Sequence, residues 1–548
     1  MNDADLVLRH GVVYTAEPGR PWARGIAVRD GVITDVVDDD AADHVGPRTR
    51  VFDLDGAMAL PGFIDTHSHY VDGPQIAGGI AVNTAETVDE LVAMLHADAA
   101  TTDAPIVRGF GWRSHLFPNG PHHRLLDDVY GHRPAVLMEI NAHSVWANSA
   151  ALHHAGITRD TPDPQPGYAE YIRDPDGELT GWVTEDAAHD LLHRLVPATV
   201  DQARRDVAAF TARYSAAGLT TVFDAGVFEL DETAGYTMLT ELDKAGALPQ
   251  RIFGSHVANR DAGDPVAALG TLARRFNSGH VQVRTMKIFV DGVTEGHTSA
   301  YLEPYTDRPD DTGPLALDER HVVELAVATD RAGFQCHFHA LGDRAVRVAL
   351  DAIAAARASN GPSGIRHVIC HAHVVAPEDL PRFRRLNTVY QTSGQWIESD
   401  PFHEVMVRRL GERADRQFPL RTATEMGVTV TLGADFPATS YVSTYEPLVQ
   451  IESAVTRRPV GRPEAPPLPP ESECLPLGTA INAMTIAAAH QLGEEERLGS
   501  LRPGKLADLV VLDRDLFALP PHLIHQTGVL LTVRGGDIIH DAGSITEE

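Results

Sequence analysis

The run Asp65-Thr66-His67-Ser68-His69 closes an apolar stretch, Leu60-Pro61-Gly62-Phe63-Ile64, with two histidines two positions apart. In a strand, residues i and i+2 share a face, so both imidazoles aim at one point. Two neutral imidazoles aimed together suit a zinc-type divalent ion. A pair of ordinary surface or core histidines is the alternative, and further candidate ligands downstream weigh against it. Lysine usage adds a second signal. Of 46 basic residues only Lys244, Lys287 and Lys505 are lysines, and Lys287 lies inside the apolar run Met286-Lys287-Ile288-Phe289-Val290. Arginine keeps its proton in a protein, whereas a buried lysine can lose it and become nucleophilic. The other reading is a lysine that snorkels to the surface.

These side chains need a scaffold that gathers strand ends. Short apolar strands alternate with amphipathic segments such as 201–217 and 319–332, the pattern of a parallel α/β fold. Strands are expected at 62–69, 219–225, 251–257, 284–290, 334–340, 366–373, 387–392 and 428–435, eight in all. That count gives an α/β fold class, a (β/α)8 TIM barrel with catalytic groups at the C-terminal strand ends. Seven strands or a doubly wound sheet stay open. The long gap after the first strand makes 72–200 an α/β insertion over the barrel mouth, with strands at 105–110 and 135–140 and a hairpin at Asp174-Pro175-Asp176-Gly177. Short strands within 5–13 and 25–37, an Asp30-Gly31 hairpin turn, and strands at 507–512 and 528–533 recur at the two ends. Residues 1–59 with 496–548 are therefore expected to form one small β-sandwich domain beside a barrel domain of 60–495.

On this scaffold a candidate ligand falls near the end of several strands: His67 and His69 on the first, Lys287 on the fourth, His339 on the fifth, His371 on the sixth and Asp435 on the eighth. Strand parity turns Cys370 outward toward the helices and His373 inward beside His371. His337 shares the face of His339, one layer deeper.

Composition narrows the partners. The chain has 548 residues, 43% of them hydrophobic, and a net charge of −30 spread along its length. Such a surface repels nucleic acid and anionic lipid, so neither is an expected partner. Three cysteines without CxxC spacing exclude a disulfide framework. No apolar run is long enough for a bilayer. The start Met1-Asn2-Asp3-Ala4-Asp5 lacks a signal peptide, which points to the cytoplasm. No G-x-S-x-G, G-x-G-x-x-G or P-loop run is present, against serine hydrolysis and nucleotide chemistry. A homodimer is left open.

The runs Leu60 to His69, Lys287-Ile288-Phe289-Val290-Asp291-Gly292, His339-Ala340-Leu341-Gly342-Asp343-Arg344-Ala345, Gly433-Ala434-Asp435-Phe436-Pro437 and Leu498 to Asp508 resemble the amidohydrolase superfamily over essentially the whole chain. The resemblance is to the amidohydrolase family 3 branch, which includes N-substituted formamide deformylases. It implies that His67, His69 and Asp435 hold one metal and His339 and His371 a second, zinc or a similar ion, one or two per subunit. Lys287 would bridge them as an N-carboxylated lysine. A neutral lysine that captures CO₂ becomes a carbamate, whose oxygens span metals roughly 3.5–4 Å apart. One departure stands out: relatives read Glu-His-Ala-Gln where this chain has Cys370-His371-Ala372-His373, so His373 either reaches substrate or competes as a ligand.

The resemblance implies hydrolysis by metal-activated water of a carbon–nitrogen bond other than a peptide bond, in a small N-substituted, formamide-like amide. Asp435 is the expected general base. His143, in the insertion, is expected to hydrogen-bond the scissile carbonyl. Trp112 and Trp146 form either an apolar wall for the substrate or the insertion's own core. Asp291 either binds substrate or orients a ligand. Asp343 and Arg344 are expected to pair with each other. One alternative is a deaminase of the same barrel class, which pairs the fifth-strand histidine with a following glutamate and dispenses with the lysine. The other is a non-catalytic metal-binding regulatory protein.

Overall fold

Eight parallel strands run through the centre of the computed structural model, which describes residues 3–258, 263–438 and 445–547. They are β1 (Phe63–Ser68), β2 (Leu219–Asp224), β3 (Arg251–Val257), β4 (Val281–Phe289), β5 (Gln335–Ala340), β6 (Val368–His371), β7 (Val389–Ser393) and β8 (Val430–Gly433). Each pairs with its neighbour in sequence. The ends meet as well: the Asp435 amide donates to the His67 carbonyl at 2.6 Å and the His69 amide to the Phe436 carbonyl at 3.0 Å. Thr66 Oγ1 adds a bond to the Leu432 carbonyl at 2.8 Å. The sheet thus curls into a nearly closed barrel, as the eight apolar runs require.

Local chemistry sets each crossover. In the helix Val200–Ala216, Thr199 caps the first turn by accepting the Gln202 amide. Ala203, Val207, Phe210 and Tyr214 recur every three or four residues and are buried, so one face packs on the barrel. Burying each of the larger side chains contributes roughly 1.5–3 kcal/mol. Gly218, at φ +84°, turns the chain from this helix into β2, and a Cβ there would strike Val510 and Phe63.

The segment between β1 and β2 carries its own mixed sheet. Its strands lie in the order Tyr171–Arg173, Leu179–Thr184, Ser144–Ala147, Ala135–Glu139, Val107–Trp112 and Ile80–Ala81. Alternation divides its side chains: Trp112, Leu137 and Trp146 enter one hydrophobic cluster, Met138, Val145 and Val183 another. The expected hairpin is there, with the Gly177 amide donating to the Asp174 carbonyl at 2.9 Å.

Two further sheets come from both ends of the chain. One orders Thr546–Glu547, Arg50–Asp53, Leu6–Arg9, Gly25–Arg29 and Val32–Val37; the other orders Asp537–Asp541, Val529–Arg534, Leu509–Leu512, Met58–Pro61, Val12–Tyr14 and Trp22–Ala23. Leu8, Val28 and Phe52 of the first share a core cluster with Ala59, Val511 and Leu531 of the second. Asp30 and Gly31 turn between Gly25–Arg29 and Val32–Val37 with φ of 51° and 74°, the doubly left-handed turn a two-residue hairpin favours. Among the described residues no helix is long and apolar enough to cross a membrane.

Candidate metal centre

The C-terminal strand ends bring His67, His69, Lys287, His339, His371 and Asp435 around one cavity of about 450 Å³, which His143 also lines. Asp435 Oδ1 lies 3.3 Å from His67 Nε2 and 3.4 Å from His69 Nε2. Ligands bound at ~2.0–2.1 Å around a tetrahedral centre stand ~3.3–3.4 Å apart, so these three donors fit a divalent ion. Asp435 Oδ2 is directed toward His371, whose Nδ1 is 3.9 Å away. The His339 and His371 rings are 4.6 Å apart by centroid. Their Nδ1 atoms are buried without a hydrogen-bond partner among the described residues, a state a cation would relieve.

Lys287 Nζ lies 3.2 Å from His67 Nε2. An ammonium only donates, so this contact places the His67 proton on Nδ1, itself 3.0 Å from His337 Nε2. That is the tautomer a metal ligand needs, with its second nitrogen held by a neighbour. The other contacts of Lys287 are Cys370 Sγ at 3.8 Å and the Phe289 ring at 5.1 Å. Among the described residues no carboxylate pairs with it. Burial holds His67, His339 and His371 well below the ordinary histidine value, reinforced by Lys287 and neighbouring imidazoles. All three are therefore neutral, as metal binding requires.

Cys370 does not face the helices as strand parity suggested. It pairs in register with His339 and shares that residue's inward face, its sulfur grouping with His67 and His337. His371 also turns inward because the strand ends there, with φ of 73° at His371 and 39° at Ala372. The alternation rule fails where the strand stops. Beyond the kink, His373 packs on Trp396 and Phe418 at 5.0 and 4.9 Å between centroids. It lines a second cleft rather than the ligand cavity.

His143 Nδ1 lies 2.7 Å from Glu185 Oε2, and Thr298 donates to Glu185 Oε1 at 2.5 Å. Burial opposes charge on His143, but Glu185, Asp435 and Glu295 outweigh it and hold the imidazole above its ordinary value. With Nδ1 engaged, Nε2 is the atom left for a ligand in the cavity. Sequence reasoning missed Glu185. It follows the strand Leu179–Thr184 at a left-handed φ of 52°, a corner with no sequence signature.

Asp291 is not placed to meet substrate. It is fully buried and accepts the amides of Ala300, Leu341 and Gly342 at 2.9, 2.9 and 3.0 Å. Its Oδ1 is 3.7 Å from His339 Nδ1, so it braces the loops beneath that histidine; burial pushes its carboxyl up to about 7. Of the two alternatives for Trp112, the structure takes the core. Its ring is fully buried, its Nε1 donates to the Leu137 carbonyl at 3.0 Å, and it packs against Trp146 and Phe117. Both tryptophans belong to the core of the inserted sheet. Asp343 and Arg344 do not pair with each other: Asp343 accepts the Leu302 amide at 2.8 Å and Arg344 meets Glu319 at 3.0 Å.

A sequence model described as the amidohydrolase family matches residues 50–540. The chain belongs to the amidohydrolase family. This amidohydrolase is 29% identical over 540 residues to YtcJ of Bacillus subtilis, covering 97% of this chain and 98% of the relative. It is also 29% identical over 545 residues to the N-substituted formamide deformylase of Arthrobacter pascens, covering 93% and 94%. An uncharacterized metal-dependent hydrolase from Pyrococcus horikoshii superposes with a TM-score of 0.71 at 20% identity, covering 94% of this chain and 99% of that one. At that identity the likeness speaks for the fold. Family membership makes the protein a metal-dependent hydrolase.

Proposed function

We propose that this amidohydrolase cleaves the carbon–nitrogen bond of an N-substituted amide of the formamide class. The observation that carries the reading is Asp435, with one oxygen shared by two histidine nitrogens and the other directed toward His371, in a cavity that also holds His143. His67, His69 and Asp435 would hold one divalent ion, zinc in our reading, and His339 with His371 a second. Lys287 would join them after its neutral amine adds to CO₂, forming an N–C bond and releasing a proton. Such an ion, when bound, acidifies a water and polarises a carbonyl.

The protein's own groups manage protons and charge. Asp435 Oδ2 accepts the proton of the attacking water as the oxygen–carbon bond forms. His143, oriented through Nδ1 by Glu185, donates from Nε2 to the carbonyl oxygen as negative charge gathers there. Asp435 then returns its proton to nitrogen as the carbon–nitrogen bond breaks, so the amine departs neutral. The products are an amine and an acid, formate when the substrate is a formamide.

The Arthrobacter pascens relative supports the substrate class. Against a deaminase stand Lys287 and the absence of a glutamate after His339, where the chain reads Ala340-Leu341-Gly342-Asp343. The test is product analysis of zinc-loaded protein offered N-substituted formamides alongside heteroaromatic amines. Equal amounts of formate and amine are expected; ammonia without formate would overturn the reading.

A further inference from the structure

Beside the metal cavity lies a second cleft of about 670 Å³, partly open to solvent, which shares Asn141 and Ala438 with it. Much of its wall is apolar, including Ile140, Val293, Leu341 and Phe402. Trp396 also lines it and stacks on His371 at 5.1 Å between centroids. Among these stand three carboxyl groups, Glu139, Glu295 and Asp400, and one guanidinium, Arg113. Glu295 is 5% exposed. Its Oε1 accepts from Asn141 Nδ2 at 3.0 Å, while its Oε2 is buried with no hydrogen-bond partner among the described residues. His373, 3% exposed, has both ring nitrogens in the same condition. Buried polar groups are seldom left unmet, and in a cleft next to a reaction centre a ligand is what meets them.

We propose that this cleft takes the nitrogen-side substituent of the substrate, and that the substituent is an apolar chain or ring ending in a basic amine whose N–H groups bond Glu295 Oε2. The proposal rests on the amide-hydrolase reading, because a formyl group leaves nothing on the acyl side to fill such a volume. Charge decides between a basic and an acidic end group: three carboxyls face one guanidinium. Burial raises both Glu139 and Glu295 above the ordinary carboxylate value, and the charge of Glu295 adds to the rise at Glu139; a cation between them relieves both. His373, as a neutral imidazole, supplies one donor and one acceptor further along. Asn141 ties the cleft to the chemistry, since its Oδ1 accepts the His143 amide at 2.9 Å while its Nδ2 holds Glu295.

Product amines separate the cleft from the reaction. Calorimetric titration of zinc-loaded protein with 1,6-diaminohexane and with hexylamine should show the diamine binding roughly ten- to hundredfold tighter, the worth of one bond to a charged group. Glu295→Gln and Glu139→Gln, both near-isosteric and checked for native near-ultraviolet dichroism, should each bring that ratio toward one. Equal affinities in the wild type, or a ratio kept in both variants, overturns the proposal. The same preference should appear in kcat/KM for N-(6-aminohexyl)formamide over N-hexylformamide. A diamine preference without hydrolysis of either formamide keeps the cleft and removes the amide reading. Hydrolysis of both formamides without preference does the reverse.

Discussion

Lys287 Nζ donates to Nε2 of His67 across 3.2 Å, and so engages the lone pair that a cation at this site requires. The ammonium and the metal are competitors for one nitrogen, and conversion of the amine to an anion removes the contest. Zinc content measured by elemental analysis should therefore rise with added bicarbonate, toward about two equivalents per chain. Lys287→Ala should lose about one of them, and a short carboxylic acid should restore part of the loss. Wild-type content in the variant would remove the carbamate from the scheme.

Asp435 and His143 are assigned different tasks, and kinetics should tell them apart. Asp435→Asn is expected to lower kcat by roughly 10²–10⁴ with the fold intact, since it removes the proposed ligand and the proposed base together. His143→Ala should lower kcat by about 10²–10³ while metal content stays normal. Glu185→Gln withdraws the partner that raises His143, so the alkaline fall of kcat should move to lower pH. An unmoved profile would take His143 out of its charged role.

Trp112 offers a clean distinction between core and wall. As a core residue, Trp112→Ala should cost about 3–5 kcal/mol in urea unfolding and leave KM nearly unchanged at a temperature where the variant is folded. A large KM increase with little loss of stability would return Trp112 to the substrate.

Acid sensitivity should have an identifiable contributor in His297. Burial and Arg409 lower it to about 4 from 6.5, although its Nε2 lies 3.1 Å from Asp307. Between those values the unfolded chain binds the proton and the folded one does not. Stability should fall as pH drops from about 6.5 to about 4, by at most about 1.4 kcal/mol per pH unit from this group, and level off below. His297→Gln should show a shallower decline; identical slopes would mean that His297 is already charged in the native state.

The barrel was legible because each strand is an apolar run bounded by turn residues, and the residues that gather at the cavity were legible because they end those runs. Cys370 was misread for a specific reason. Parity assumes a continuous strand, and the left-handed backbone at His371 and Ala372 lets two consecutive side chains face inward. Trp112 could not be assigned, because an aromatic residue in an inserted sheet reads the same whether it faces the core or a ligand. Glu185 and the Asn141–Glu295 bond were invisible: each joins segments more than forty positions apart, and no periodicity encodes such meetings.

Met58–Pro61 runs through Gly62 into β1, and its antiparallel partner is Leu509–Leu512. Gln491 reaches back to the Thr66 carbonyl at 3.0 Å, across 425 positions. The strand that carries His67 and leads into His69 is thus framed by segments that follow it by more than 400 positions. A nascent chain carries those two histidines long before their frame exists, so an ion held there would be captured only after the framing segments have been made.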